Sequence, residues 1–181
     1  MAKKNQTMKI ALCGITAGLC IVVLMMGYMF PFATYACPAI AAVFIFPVAY
    51  EYKEKTAFTL YAAVSFLAIF LIPDYELSFM FIFVFGLYTV FKLRFDRIKK
   101  KPLRLLVKFI FINVTVIAVY RILLVIFPVQ ALINEFAEYS IPFMILLMAM
   151  MNATFFLYDK ALEKLLIIYV KKLRKKLFRN G

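Results

Sequence analysis

The sequence contains no histidine. That removes histidine haem ligation, zinc-protease chemistry and imidazole acid–base work. Its three cysteines, Cys13, Cys20 and Cys37, include no C-x-x-C pair, so neither a redox couple nor a zinc knuckle is expected. There is no Walker A loop, so the chain has no such route to ATP hydrolysis. Acidic residues number only nine, and no carboxylate dyad or nucleophile–base pair falls within an apolar run. An enzyme reading therefore has nothing to start from, and no cofactor is implied. No cleavable signal peptide is expected either. The first apolar run, Ile10 to Phe30, is longer than a signal core and about the length of a membrane span.

What the chain has is oil. Of its 181 residues 66% are hydrophobic, and mean hydropathy is +0.94. A soluble domain of this size is about half apolar, because a small globule has much surface to wet. The surplus apolar surface here must face lipid. The expectation is one all-α membrane domain over residues 1–181, with a basic amphipathic extension from about residue 159.

Crossing roughly 30 Å of hydrocarbon takes about 20 apolar helical residues. Six segments approach that length: Ile10–Phe30, Thr34–Tyr50, Thr56–Ile72, Leu77–Phe91, Leu103–Phe127 and Ile141–Tyr158. The second is short and carries Pro38 and Pro47. Pro31, Pro73, Pro128 and Pro142 mark the segment ends, where proline costs least.

Charge tests this division. With the N-terminus placed in the cytoplasm, the inner segments hold every one of the 22 basic residues except Arg121. The outer turns hold Asp74, Glu76, Glu135 and Glu138 and no cation. Positive residues stay on the cytoplasmic side of membrane proteins. Six crossings with both termini inside follow from that segregation. A net charge of +13 therefore reads as anchoring, and no nucleic-acid partner is expected. In the tail, Leu162, Leu165, Leu166, Tyr169, Leu173 and Leu177 recur at helical spacing among lysines and arginines. Such a segment either lies on anionic membrane lipid or forms a solvated end of the last helix.

Arg121 lies deep in the fifth segment. Arginine at a helix centre in lipid costs roughly 2.5–3.5 kcal/mol, less toward the interface. Either it grips an anionic group of a substrate, or it snorkels or pairs with Asp74, Glu76 or Glu135. Asn113 lies eight residues earlier, on the same broad helix face as Arg121. Asn113 and Asn152 are candidate ligand contacts, with interhelical hydrogen bonding as the alternative. Tyr35 lies beside Pro31 and Pro38 in the first outer connection, placed to cap a cavity or to anchor at the interface. Ala11, Gly14 and Gly18 give the first segment a small-residue face where another helix packs closely, in this chain or a partner.

A small, basic, six-span chain with the stretch Ala11-Leu-Cys-Gly14-Ile-Thr-Ala17-Gly18 in its first helix resembles the substrate-binding S components of energy-coupling factor transporters. The outer connection around Phe30–Pro38 and the apolar stretch Pro38-Ala-Ile-Ala-Ala-Val-Phe-Ile-Phe-Pro47 are similar to that family too. The resemblance implies capture of a small micronutrient at the bacterial plasma membrane. It implies docking, through Ala11, Gly14 and Gly18, to a transmembrane coupling subunit that works with ATPase subunits. Arg121, Asn113, Tyr35 and Asn152 would then contact the substrate. The competing reading is a non-transporting membrane scaffold similar to the rod-shape protein MreD.

Overall fold

The computed structural model describes residues 2–30, 33–126 and 141–173. Glu135, Glu138, Pro31, Pro128 and the tail from residue 174 lie outside the described residues. Within them the chain is helical and has no strand. The elements are α1 (Ala2–Met29), α2 (Ala36–Leu71), α3 (Tyr75–Phe79), a π-helical segment (Met80–Gly86), α4 (Leu87–Phe95), α5 (Lys101–Ile126) and α6 (Ile141–Ile168). A final π turn, Tyr169–Leu173, extends α6. Helix is the expected form for these sequences, since in lipid each backbone N–H and C=O must find its partner within the chain.

Five stretches are long and apolar enough to cross a bilayer: Gln6–Met29, Glu54–Leu71, Tyr75–Phe95, Lys101–Val125 and Pro142–Lys171. Ala36–Tyr52 is apolar but shorter. Tyr75–Phe95 is the central one. Of its apolar stretch 72% is buried, against 28% or less in the other four.

The second and third sequence segments are joined differently from expectation. Residues 36–71 are helical throughout, where the sequence predicts a turn at Lys53–Lys55. A straight helix would hold Cys37 and Ala68 roughly 46 Å apart. Yet a Cβ placed on Gly27 would lie 2.6 Å from Cys37 Cβ and 2.7 Å from Leu77 Cδ1. Ser78, the next residue, donates its hydroxyl to the Ala68 carbonyl at 3.5 Å. Tyr35 just before α2 bonds Glu76 just after it. Both ends of α2 therefore sit at the same end of the bundle, and the helix doubles back in its middle. Pro47 removes one ladder donor just before that reversal. Around it, Glu51 accepts from Tyr169 at 3.5 Å and Glu54 pairs with Arg94 at 3.2 Å.

The first half of α2 packs on α1, where the Cys20 thiol donates to the Ala41 carbonyl at 3.1 Å. The second half packs on the central rod that α3, the π segment and α4 form together. Asp74 starts that rod by accepting the Leu77 N–H at 3.1 Å, an N-cap. The π segment widens the helix and frees carbonyls that an α-helix would bond. Tyr61 supplies one replacement, donating to the Ile82 carbonyl at 2.7 Å. Gly86 closes the segment, and a Cβ there would lie 2.7 Å from the Phe81 carbonyl and 2.9 Å from the Tyr61 ring. Phe81, Phe85 and Tyr88 of the rod are fully buried, with Tyr88 edge-on to Phe155 of α6 at 4.6 Å between ring centroids.

Candidate functional site

Polar side chains inside this bundle gather in three places. The largest gathering lies at the end where α4 turns into α5, the basic end. Tyr88, Lys92 and Asp96 recur every four residues and so share one face of the rod. Lys108 enters from α5. Asp159 and Glu163, again four apart, enter from α6.

Lys92 bonds Asp159, lies 3.1 Å from Asp96 and reaches Glu163 at 3.8 Å. Lys108 lies 2.7 Å from Asp96 and 2.7 Å from Asp159. Tyr88 donates its hydroxyl to Asp159. Lys92 and Lys108 are each 1% exposed, and Asp159 is 6% exposed. Each buried ion costs several kcal/mol of desolvation unless opposite charges surround it. Here two ammonium groups face three carboxylates, and both Asp159 oxygens are engaged. Beside them Thr89 shares a 2.8 Å hydrogen bond with Tyr158 and donates to the Phe85 carbonyl at 2.8 Å. The carboxylates of Asp96, Asp159 and Glu163 approach one another closely enough to suit a metal ion. All three, however, already converge on Lys92 Nζ, so the donor set suits an ammonium group better than a divalent cation.

The second gathering lies midway along α5 and α6. Asn113 and Asn152 exchange amide hydrogen bonds at 3.0 and 3.1 Å. Each also donates to the carbonyl four residues earlier, Phe109 and Met148 respectively. The two candidate ligand amides thus engage one another.

The third lies at the opposite, acidic end. Tyr35 donates to Glu76 at 2.8 Å, Tyr120 donates to the same oxygen at 3.1 Å, and the two hydroxyls are 3.0 Å apart. Arg121 is the next residue on α5. It is exposed and makes no ion pair among the described residues. Asp74 is engaged as a helix cap and Glu76 by the tyrosines. Of the four sequence candidates, the structure brings Asn113 to Asn152, and Tyr35 to the neighbour of Arg121. It does not bring all four into one place.

On α1, Ala11, Gly14 and Gly18 are all exposed. A Cβ on either glycine would meet nothing within 4 Å. The small-residue face is therefore bare, while Gly27 on the same helix is packed tightly.

Sequence reasoning missed the charge cluster. Lys92 follows the fourth segment and Lys108 lies in the first turns of the fifth, so both read as anchors. Asp159 falls one residue beyond the sixth segment. The available signal was the four-residue recurrence of Tyr88, Lys92 and Asp96, repeated by Asp159 and Glu163. No protein-family model matches the chain, and no curated protein or solved structure matches it.

Proposed function

We propose that this chain is the membrane-embedded substrate-binding subunit of an importer of the energy-coupling factor type, with six crossings and both termini in the cytoplasm. The observation that carries the reading is the bare face of α1. Bundle helices bury small residues to approach a neighbour closely, yet Ala11, Gly14 and Gly18 are exposed, and among the described residues nothing lies within 4 Å of a Cβ placed on either glycine. They fit docking to a transmembrane coupling subunit that works with ATPase subunits. The reversal within α2 supports the count of six, because Ala36–Tyr52 and Glu54–Leu71 then cross in opposite directions. The basic end faces the cytoplasm of a bacterial plasma membrane in this arrangement.

The small-molecule site lies at the acidic, outer end, where Tyr35, Glu76 and Tyr120 converge next to Arg121. Asn113 and Asn152 lie deeper and would contact a ligand only by exchanging their mutual bonds for bonds to it. Docking would supply the energy for release inward through differential contact in the two states. The self-satisfied Asn113–Asn152 pair favours the second reading, a scaffold that binds other membrane proteins and carries no ligand.

Native mass spectrometry of the purified protein tests the choice, together with Arg121→Ala and the pair Gly14→Leu and Gly18→Leu. The transporter reading expects a bound small molecule that Arg121→Ala displaces. It also expects loss of an ATPase-containing complex when the two glycines are filled. No bound molecule and an undiminished complex would overturn it.

A further inference from the structure

α5 and α6 leave an open groove between them at the basic end. It is shallow and open, lined by Pro102, Leu105, Leu106, Phe109 and Phe156, with Lys160 at its rim. Five of its six lining residues are apolar, and Leu105, Leu106 and Phe109 are about half exposed, at 51%, 54% and 47%.

The groove is graded along its length. α5 runs away from the basic end and α6 runs toward it. Phe109 and Phe156 therefore lie deep, and Lys160 sits one helical turn nearer the end. Lys101 on α5 and Lys164 on α6 continue the two walls outward, and both are exposed. Lys101, Lys160 and Lys164 make no ion pair among the described residues. The nearby acids are committed elsewhere: Asp159 to Lys92 and Lys108, and Glu163 toward Lys92.

We infer that this groove is a binding site for an anionic phospholipid. An acyl chain would lie over Leu105, Leu106 and Phe109, and the headgroup phosphate would meet Lys160. Basic pockets between membrane helices on the cytoplasmic side take anionic headgroups in this way. A soluble anion would gain nothing from the apolar floor. A zwitterionic lipid would gain little from Lys160, the cation that lines the groove. The inference rests on the membrane reading and is independent of transport.

The sequence has no tryptophan, so one introduced indole reports alone. Phe109→Trp places it in the groove, and Ile117→Trp places it two turns deeper on the lipid-exposed side of α5. Each variant is reconstituted in phosphatidylcholine vesicles holding one-fifth phosphatidylglycerol, with mid-chain bromines on one lipid or the other.

At the Phe109→Trp position, brominated phosphatidylglycerol is expected to quench as though bound about fivefold more tightly than phosphatidylcholine, which raises its local share from one-fifth to roughly one-half. One basic residue at a membrane surface confers an enrichment of that order. At the Ile117→Trp position no enrichment is expected. Adding Lys160→Ala should remove the enrichment, and Lys160→Arg should retain it. Equal quenching by the two lipids in the groove would overturn the site. So would an enrichment that survives Lys160→Ala, or a groove reporter shielded from both lipids. If neither reporter is quenched by either lipid, the membrane reading fails as well.

Discussion

Lys108 lies 2.7 Å from Asp159 across 51 residues of sequence, tying α5 to α6 inside the bundle. Lys92 ties the central rod to the same carboxylate. Both cations also reach the more exposed Asp96, but Asp159 is the buried anion they share, and removing its charge leaves both under-neutralised. Breaking a buried ion pair from one side costs about 3–5 kcal/mol. Asp159→Asn should lower the unfolding free energy in detergent by about 3 kcal/mol. Adding Lys108→Met should restore at least about 1 kcal/mol, since an apolar side chain replaces a stranded charge. Additive losses in chemical denaturation would show that the three groups are not coupled.

The four described glycines divide into two classes that thermal unfolding can separate. Gly27→Ala drives a methyl into Cys37 and Leu77, and Gly86→Ala drives one into the Phe81 carbonyl. Overpacking of this kind costs about 1–3 kcal/mol. Gly14→Ala and Gly18→Ala meet open space, so helix propensity alone acts and makes them neutral to stabilising by up to about 1 kcal/mol. A large loss at Gly14 would place a hidden neighbour against that face.

The Asn113–Asn152 pair lends itself to a double-mutant cycle with alanine. Interhelical side-chain bonds in membranes average about 0.6 kcal/mol and reach about 1.7 kcal/mol. A two-bond pair should show a coupling energy near the upper figure. Zero coupling in unfolding measurements would mean that the amides are bonded independently.

On the proposed six-crossing reading, the reversal in α2 puts both of its ends on one side of the membrane. In a background lacking Cys13, Cys20 and Cys37, an impermeant maleimide should label Tyr75→Cys in intact cells. Lys55→Cys and Lys99→Cys should react only after permeabilisation. Labelling of Lys55→Cys from outside, with Tyr75→Cys also labelled, would remove both α2 crossings and leave four.

Much of this architecture was legible because its causes are local. Apolar runs and flanking charges locate α1, the central rod, α5 and α6 to within a few residues at most ends. The exceptions are α1, which starts at Ala2 rather than Ile10, and α6, which runs to Ile168 past Tyr158. The α2 reversal was anticipated, yet its form was not. Residues 51–55 read Glu-Tyr-Lys-Glu-Lys, with no glycine, proline or asparagine to mark a turn, and they remain helical in the structure. The hydrogen bonding expected as one role for Asn113 and Asn152 is present. The pairing of Lys92, Lys108 and Asp159 was hidden, because partners 51 and 67 residues apart carry no periodicity that a window can detect. The π segment had no visible mark beyond Gly86, whose need for a bare Cα shows only when Tyr61 is in place.

Two of this chain's lysines are withdrawn from solution chemistry by their own partners. An acylating reagent or an acetyltransferase would find Lys99, Lys100 and Lys101 exposed on the turn, and would find Lys92 and Lys108 closed to it. Covalent modification at Lys92 or Lys108 would therefore record each moment at which the three helices part, with the unaltered protein serving as its own probe.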